Sequence, residues 1–256
     1  MTAFWTFTGK EVQELVRTGK LLILGIIFIL FGIMNPAIAK LTPWLMEMTA
    51  DSLEGTGITI TEVIVNDMTS WTQFYKNISM EILIYVLMFA GIFTTEYQRG
   101  TLINMLTKGV RRETVLISKF LIMLMVWTVG YWGTYGITYA YNAYFWGNDA
   151  GQNLLFAALL VYLLGIWFIS LIVLASALFQ TNTAVLLGVG VAFIMVYLLS
   201  LIPTVKEYLP TQLMQGMNLV SGAVETGDTV AAVICTLIWT VVNVVVATGV
   251  FNRKTM

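Results

Sequence analysis

The chain reads as an all-α membrane protein. It is expected to have six transmembrane helices, an N-terminal interfacial helix, a cytoplasmic helix between spans two and three, and short extracellular or re-entrant helices between spans five and six. Three observations predict this. Of 256 residues, 58% are hydrophobic and 11% charged, where soluble domains carry about 25% charged residues. Six runs meet or approach the ~20 apolar residues that a helix needs to cross a hydrocarbon core of ~30 Å. Basic residues also gather on alternate loops. No room is left for a soluble catalytic domain, so residues 1–256 are expected to form a single transmembrane domain.

Residues 1–20 place Phe4, Val12, Leu15 and Val16 near one helical face and Lys10, Glu14 and Arg17 elsewhere, the pattern of a short amphipathic helix lying in the membrane interface. Such a helix also serves for anchoring alone. The first span is expected over 21–39 and, following twenty residues that carry Lys10, Glu11, Glu14, Arg17 and Lys20, is expected to be retained and not to be a signal peptide. An acidic, Thr-rich outer loop follows over 40–77, with Thr56–Val65 as a strand or short helix. Span two, over 79–95, has Glu81 as an acid within it, expected about one turn from the outer end in a hydrated mouth.

Between spans two and three the chain turns polar and basic. Leu102, Met105 and Leu106 fall at i, i+3 and i+4, bracketed by Gly100 and Gly109, which fits either a short helix that inserts into a partner's groove or a charged loop that fixes topology. The third span, over 115–146, carries Tyr131, Tyr135 and Tyr139 at four-residue spacing, with Gly130, Gly133 and Gly136 nearby for close helix approach. Tyr139, Tyr141, Tyr144 and Trp146 suit an aromatic belt, which leaves the deeper Tyr131 and Tyr135, with Glu81, as candidates for a translocation path. Spans four, five and six are expected over 154–179, 183–202 and 230–251. The segment 203–229 is too apolar for a solvated loop and too short and Gly-broken to span, so it is read as re-entrant or surface-lying helices. Cys235, the one cysteine, excludes an intrachain disulfide and reads as small core packing.

With a cytoplasmic amino terminus, the inner segments 1–20, 96–119, 180–182 and 252–256 hold all the Lys and Arg residues except Lys40, Lys76 and Lys206. That asymmetry puts both termini in the cytoplasm. There is no histidine and no pair of intramembrane aspartates, which excludes His-dependent triads, H-E-x-x-H zinc chemistry and an aspartyl mechanism. The chain also lacks a G-x-x-x-x-G-K-[ST] loop, so it is not expected to hydrolyse nucleotide itself. Secondary transport would need buried coupling charges or broken helices in matching halves, and apart from Glu81 neither is present.

Glu96, Gly100-Thr101-Leu102, Leu106-Thr107-Lys108, Arg111 and Lys119 occur in the order of the inner loop of type-2 ABC transporter membrane subunits. Lys10–Pro36 resembles that family's interfacial helix and first span, and Leu209–Gly222 its short outer helices. Gly109 departs from the pattern, standing where the family often has proline. The resemblance implies an exporter-like permease subunit in the cell membrane of a bacterium, moving a hydrophobic or amphipathic substrate, with peptide favoured over drug or lipid. Its partners would be two copies of a cytoplasmic ATPase subunit, a second copy of itself or a similar permease, and membrane lipid, with no nucleic acid. ATP and Mg would be bound by the ATPase, and this chain would carry no cofactor of its own. Glu96, Arg99, Gly100, Thr101, Leu102, Met105, Leu106, Thr107, Lys108, Arg111 and Arg112 would form the coupling helix. A non-transporting immunity protein that sequesters a peptide is the alternative.

Overall fold

A computed structural model describes residues 2–53, 65–98, 100–101, 107 and 109–254. The elements run α1 (Thr2–Arg17), α2 (Lys20–Leu53), α3 (Asp67–Phe89), α4 (Gly91–Gln98), α5 (Arg112–Phe145), α6 (Leu154–Leu178), α7 (Asn182–Leu199), α8 (Pro203–Lys206), a 3-10 helix (Pro210–Gln215), α9 (Gly216–Val220) and α10 (Thr226–Arg253). Among the described residues, six helical stretches are long and apolar enough to cross a membrane: Lys20–Met48, Asp67–Gln98, Arg112–Phe145, Leu154–Leu178, Asn182–Leu199 and Thr226–Arg253. The chain is an all-α membrane protein with six spans. Both ends of the chain are tied to α5: Glu11 of α1 pairs with Lys119, and Arg112 at the first turn donates to the Lys254 carbonyl after α10.

The first two spans are longer than their apolar runs suggest. α2 continues through Pro36 and Pro43 to Leu53. Pro36 has no N–H for the Gly32 carbonyl one turn back, and the Thr138 hydroxyl of α5 donates to that carbonyl at 3.1 Å instead. A neighbouring side chain thus supplies what the ring removed, as a proline inside a membrane helix requires. α3 begins at Asp67, not near residue 79, closed by a reciprocal cap between Asn66 and Thr69. Its stretch 67–78 looks polar in sequence, yet Trp71, Phe74, Tyr75 and Ile78 all face the core, three or four residues apart. The long outer loop therefore shrinks from both sides. Residues 56–64 of the Thr56–Val65 segment lie outside the described residues.

α6 is the central helix, packed on α10, α5, α7 and α3, while α2 lies along α5 and α3. Trp127 of α5 is the aromatic hub between these groups. It stacks on Tyr131 at 5.4 Å, meets Tyr85 edge-on at 5.4 Å and Phe28 at 6.0 Å, and donates its indole N–H to the Tyr162 carbonyl at 3.1 Å. Of the three glycines flagged on span three, only Gly130 permits a close approach. A Cβ there would sit 2.3 Å from the Phe28 ring, whereas Gly133 and Gly136 face open space.

Between spans five and six, the 3-10 helix and α9 fold against the bundle, burying Pro210, Leu213, Leu219 and Val220 against α6, α10 and α3. The Gln152 N–H donates to the Val220 carbonyl at 2.9 Å and pins this hairpin to the start of α6. Residues 201–208 before it are exposed. Cys235 is half-buried on α10.

Candidate functional site

The face that carries both termini is held by charge. On α1, Phe7, Glu11 and Leu15 recur one turn apart and are buried. Val16, expected on that apolar face, is instead 61% exposed, because the buried stripe is set by Phe7 and Glu11 and lies to one side of it. Phe4 and Glu14 are half-buried, and Lys10 and Arg17 are exposed. Glu11 reaches into the bundle to Lys119 of α5, whose Nζ stands 2.6 Å from Glu11 Oε2 and 3.2 Å from Glu96 Oε2 of α4. Lys10 adds a looser second cation at 3.8 Å from Glu11 and 3.6 Å from Glu96. Burial pushes the Glu11 carboxyl above its ordinary value, with the Glu96 carboxylate adding to the rise and Lys119 and Lys10 opposing it. The carboxylates of Glu11, Glu14 and Glu96 come within 4.8 Å of one another, as cation ligands do. The Lys119 ammonium already supplies the positive charge among them.

A second clamp holds the start of α5 to the end of α10. Arg112, at the first turn of α5, donates to the carbonyls of Phe251 and Asn252 at 3.2 Å each and of Lys254 at 2.5 Å. Those carbonyls end α10, where a helix leaves acceptors unpaired and favours a cation. Asn252 donates back to Glu113 at 2.9 Å. Lys254 does for α6 what Arg112 does for α10, capping the Ala177 carbonyl at 2.9 Å while its ammonium sits 4.6 Å over the Tyr97 ring. Thr94 of α4 hydrogen-bonds Asn182 at the start of α7. Lys20 caps the Met88 carbonyl near the break between α3 and α4 at 3.3 Å. All six spans meet through side chains at this face.

These clamps flank the connection from α4 to α5. Glu96, which is buried, and Arg112, which is half-buried, each make contacts inside the fold at the two roots of that connection. Of the remaining residues expected in the coupling helix, Arg99, Leu102, Met105, Leu106 and Lys108 lie outside the described residues. Thr101, Thr107 and Arg111 are exposed and Gly100 is half-buried. Gly100 and Gly109 adopt φ of +64° and +87°, the left-handed region that glycine enters freely. Proline, which is fixed near φ −65°, cannot replace Gly109 in this turn. Gly109→Pro is therefore expected to lower the melting temperature of the purified chain by several degrees and Gly109→Asn to be tolerated, as read by thermal shift.

None of the three path candidates lines the cavity found among the described residues. Glu81 sits 14 residues into the Asp67–Gln98 span, about 21 Å along it at ~1.5 Å per residue. It is 1% exposed, in the interior and not at a hydrated mouth, because the span starts a dozen residues earlier than its apolar run. Tyr131 is fully buried and donates its hydroxyl to the Ala158 carbonyl at 2.7 Å, a packing position between α5 and α6. Tyr135 is half-buried against Trp71 and stacked on Tyr139 at 6.1 Å. That cavity, about 450 Å³, opens between α3, α6, α7 and the 3-10 helix, walled by Tyr75, Ile82, Val86, Leu164, Val189 and Phe193. No local pattern in the sequence pairs α3 with α7, so reasoning along the chain missed it.

A family model described as "ABC-2 family transporter protein" matches residues 5–256. The "Uncharacterized transmembrane protein YxlG" of Bacillus subtilis (strain 168) is 24% identical over 220 residues, 83% of this chain and 83% of its own length.

Proposed function

The chain belongs to the ABC-2 family of transporter proteins, multi-pass membrane permeases that work with an ATPase subunit, and from that membership we propose that it is the membrane subunit of an ATP-driven exporter. In this reading the face carrying the termini is cytoplasmic, and two ATPase copies bind two permease chains there, either a homodimer or this chain with a similar permease. ATP and Mg reside in the ATPase. The cargo is hydrophobic or amphipathic, with a peptide the best fit, because an apolar cavity without a fixed charge in its wall suits such a molecule better than an ion.

The observation that carries this reading is the pair of clamps at the roots of the 98–112 connection. A push on that connection would act on α4 and α5 directly. Through Lys119 and Glu11 it would reach α1, through Arg112 it would reach α10, and through Lys254 it would reach α6. A helix standing in a partner's groove with Leu102, Met105 and Leu106 as its apolar anchors would take that push. Changing those three residues together to Asp is expected to abolish co-purification of the ATPase while the permease still folds. An intact complex would sink the coupling assignment.

A further inference from the structure

The cavity between α3 and α7 is closed at both ends and open at its side. Toward the face of the termini, α7 begins against α4: Thr94 hydrogen-bonds Asn182, and a Cβ on Gly91 would already lie 3.0 Å from the Asn182 amide nitrogen. At the other end the 3-10 helix brings Met214 into the wall. There α9 packs on α3 so closely that a Cβ on Gly216 would sit 2.3 Å from the Tyr75 ring. Leu164 and Phe168 of α6 form the floor, and Phe168 meets Phe193 of α7 at 5.3 Å. The remaining flank lies between α3 and α7, where Leu83 and Leu87 belong to the wall yet are 50% and 53% exposed. Leu83 stands at the middle of the Asp67–Gln98 span, a depth that water does not reach. The mouth therefore opens on hydrocarbon.

The shape of the space limits what fills it. No charged residue lines it, and on α7 the wall is Leu186, Val189, Gly190 and Phe193, one helical face. Along α3 the wall runs from Tyr75 to Leu87, about 18 Å at ~1.5 Å per residue. One leaflet contributes about 15 Å to a hydrocarbon core of ~30 Å. A volume of about 450 Å³ spread over that length admits one extended chain, but not a helix, which measures ~10 Å across with its side chains. Apolar voids stay dry, and an empty one forfeits the dispersion contacts of its lining.

We propose that this slot holds one acyl chain of a membrane lipid, taken sideways from the leaflet opposite the termini and seated between spans two and five. The chain supplies packing to α7, the most exposed of the six spans. A cargo that uses this cavity has to displace it. The site itself needs no ATPase, so it stands apart from the exporter reading.

Photo-crosslinking tests this with the full-length chain alone, in vesicles of phosphatidylethanolamine and phosphatidylglycerol that carry a phospholipid with a diazirine on its acyl chain. Peptide mapping by mass spectrometry is expected to find adducts on outward residues such as Ile26 and also at Leu164 and Val189, buried wall residues that the surrounding lipid does not touch. Gly190 lies in the wall, and a Cβ there has nothing within 4 Å. Gly190→Leu therefore fills the slot without striking the protein, and it replaces glycine with a better helix former. It is expected to lose the adducts at Leu164 and Val189 and to keep those at Ile26. Gly133→Leu, which points into open space on α5, is expected to keep both. Wild-type adducts confined to outward residues, or adducts at Leu164 and Val189 that survive Gly190→Leu, would overturn the proposal. If Gly190→Leu does not fold, Ser79→Leu narrows the same slot from α3. With no ATPase present, a negative result leaves the exporter reading intact.

Discussion

Lys119→Met is expected to destabilise the chain by about 3–5 kcal/mol, the usual cost of leaving a buried ion pair without one partner. Lys119 is 1% exposed and holds two carboxylates, Glu11 at 2.6 Å and Glu96 at 3.2 Å. Without it, Glu11 and Glu96 face each other with only Lys10 at 3.6–3.8 Å, and that side chain is half exposed. Thermal unfolding in detergent measures the loss. The triple change Lys119→Met, Glu11→Gln, Glu96→Gln is expected to recover most of it, since removing a buried charge cluster as a whole is often close to neutral. If the triple variant were as unstable as the single one, the charges would not be the cause. The same cluster makes stability depend on pH. The Glu11 carboxyl is raised from 4.5 by burial, and a group raised on folding contributes stability that is fully present below its unfolded value and lost as pH rises through its folded one. The melting temperature of the wild type should therefore fall relative to Glu11→Gln as pH climbs above 4.5. Under the proposed function, Lys119→Met should also weaken ATPase stimulation, because α1 would lose its tie to α4 and α5.

Gly165→Ala is the second large effect expected, at about 1–3 kcal/mol, as for an extra carbon forced into a packed core. A Cβ at Gly165 would lie 2.1 Å from Trp127 Cε2, closer than any real contact allows. The ring cannot retreat easily. Its N–H is committed to the Tyr162 carbonyl, and Phe28, Tyr85 and Tyr131 surround it. Trp127→Ala should cost more, about 3–5 kcal/mol, through the cavity it opens. In the double variant the Ala at 165 has no ring to strike, so the two costs should fall well short of additive. Strict additivity would show that Gly165 and Trp127 do not press on each other.

Most of the secondary structure was legible because the bilayer imposes it: apolar length and Lys and Arg placement are properties of the chain read in order. The early start of α3 was hidden because Trp71, Phe74 and Tyr75 are interleaved with Thr72, Gln73 and Lys76, which lowers the local hydropathy while keeping the helical period. The departure at Gly109 was visible as a letter, but its left-handed backbone was not. The resemblance assigns Glu96 and Arg112 to the coupling segment, and their contacts to Lys119 and to the end of α10 could not be read from the order of residues.

The sequence by itself determined the six spans, the absence of a nucleotide loop and the basic asymmetry of the loops, since each depends on residue type and spacing along one strand of chain. Tertiary structure alone decided that Lys119 neutralises Glu11 from 108 residues away and that Arg112 closes a helix end 139 residues away. It also decided that Glu81 is buried, with neither carboxyl oxygen hydrogen-bonded among the described residues. In a low-dielectric interior the worth of a charge is set by what stands opposite it, and what stands opposite is fixed only when the helices pack.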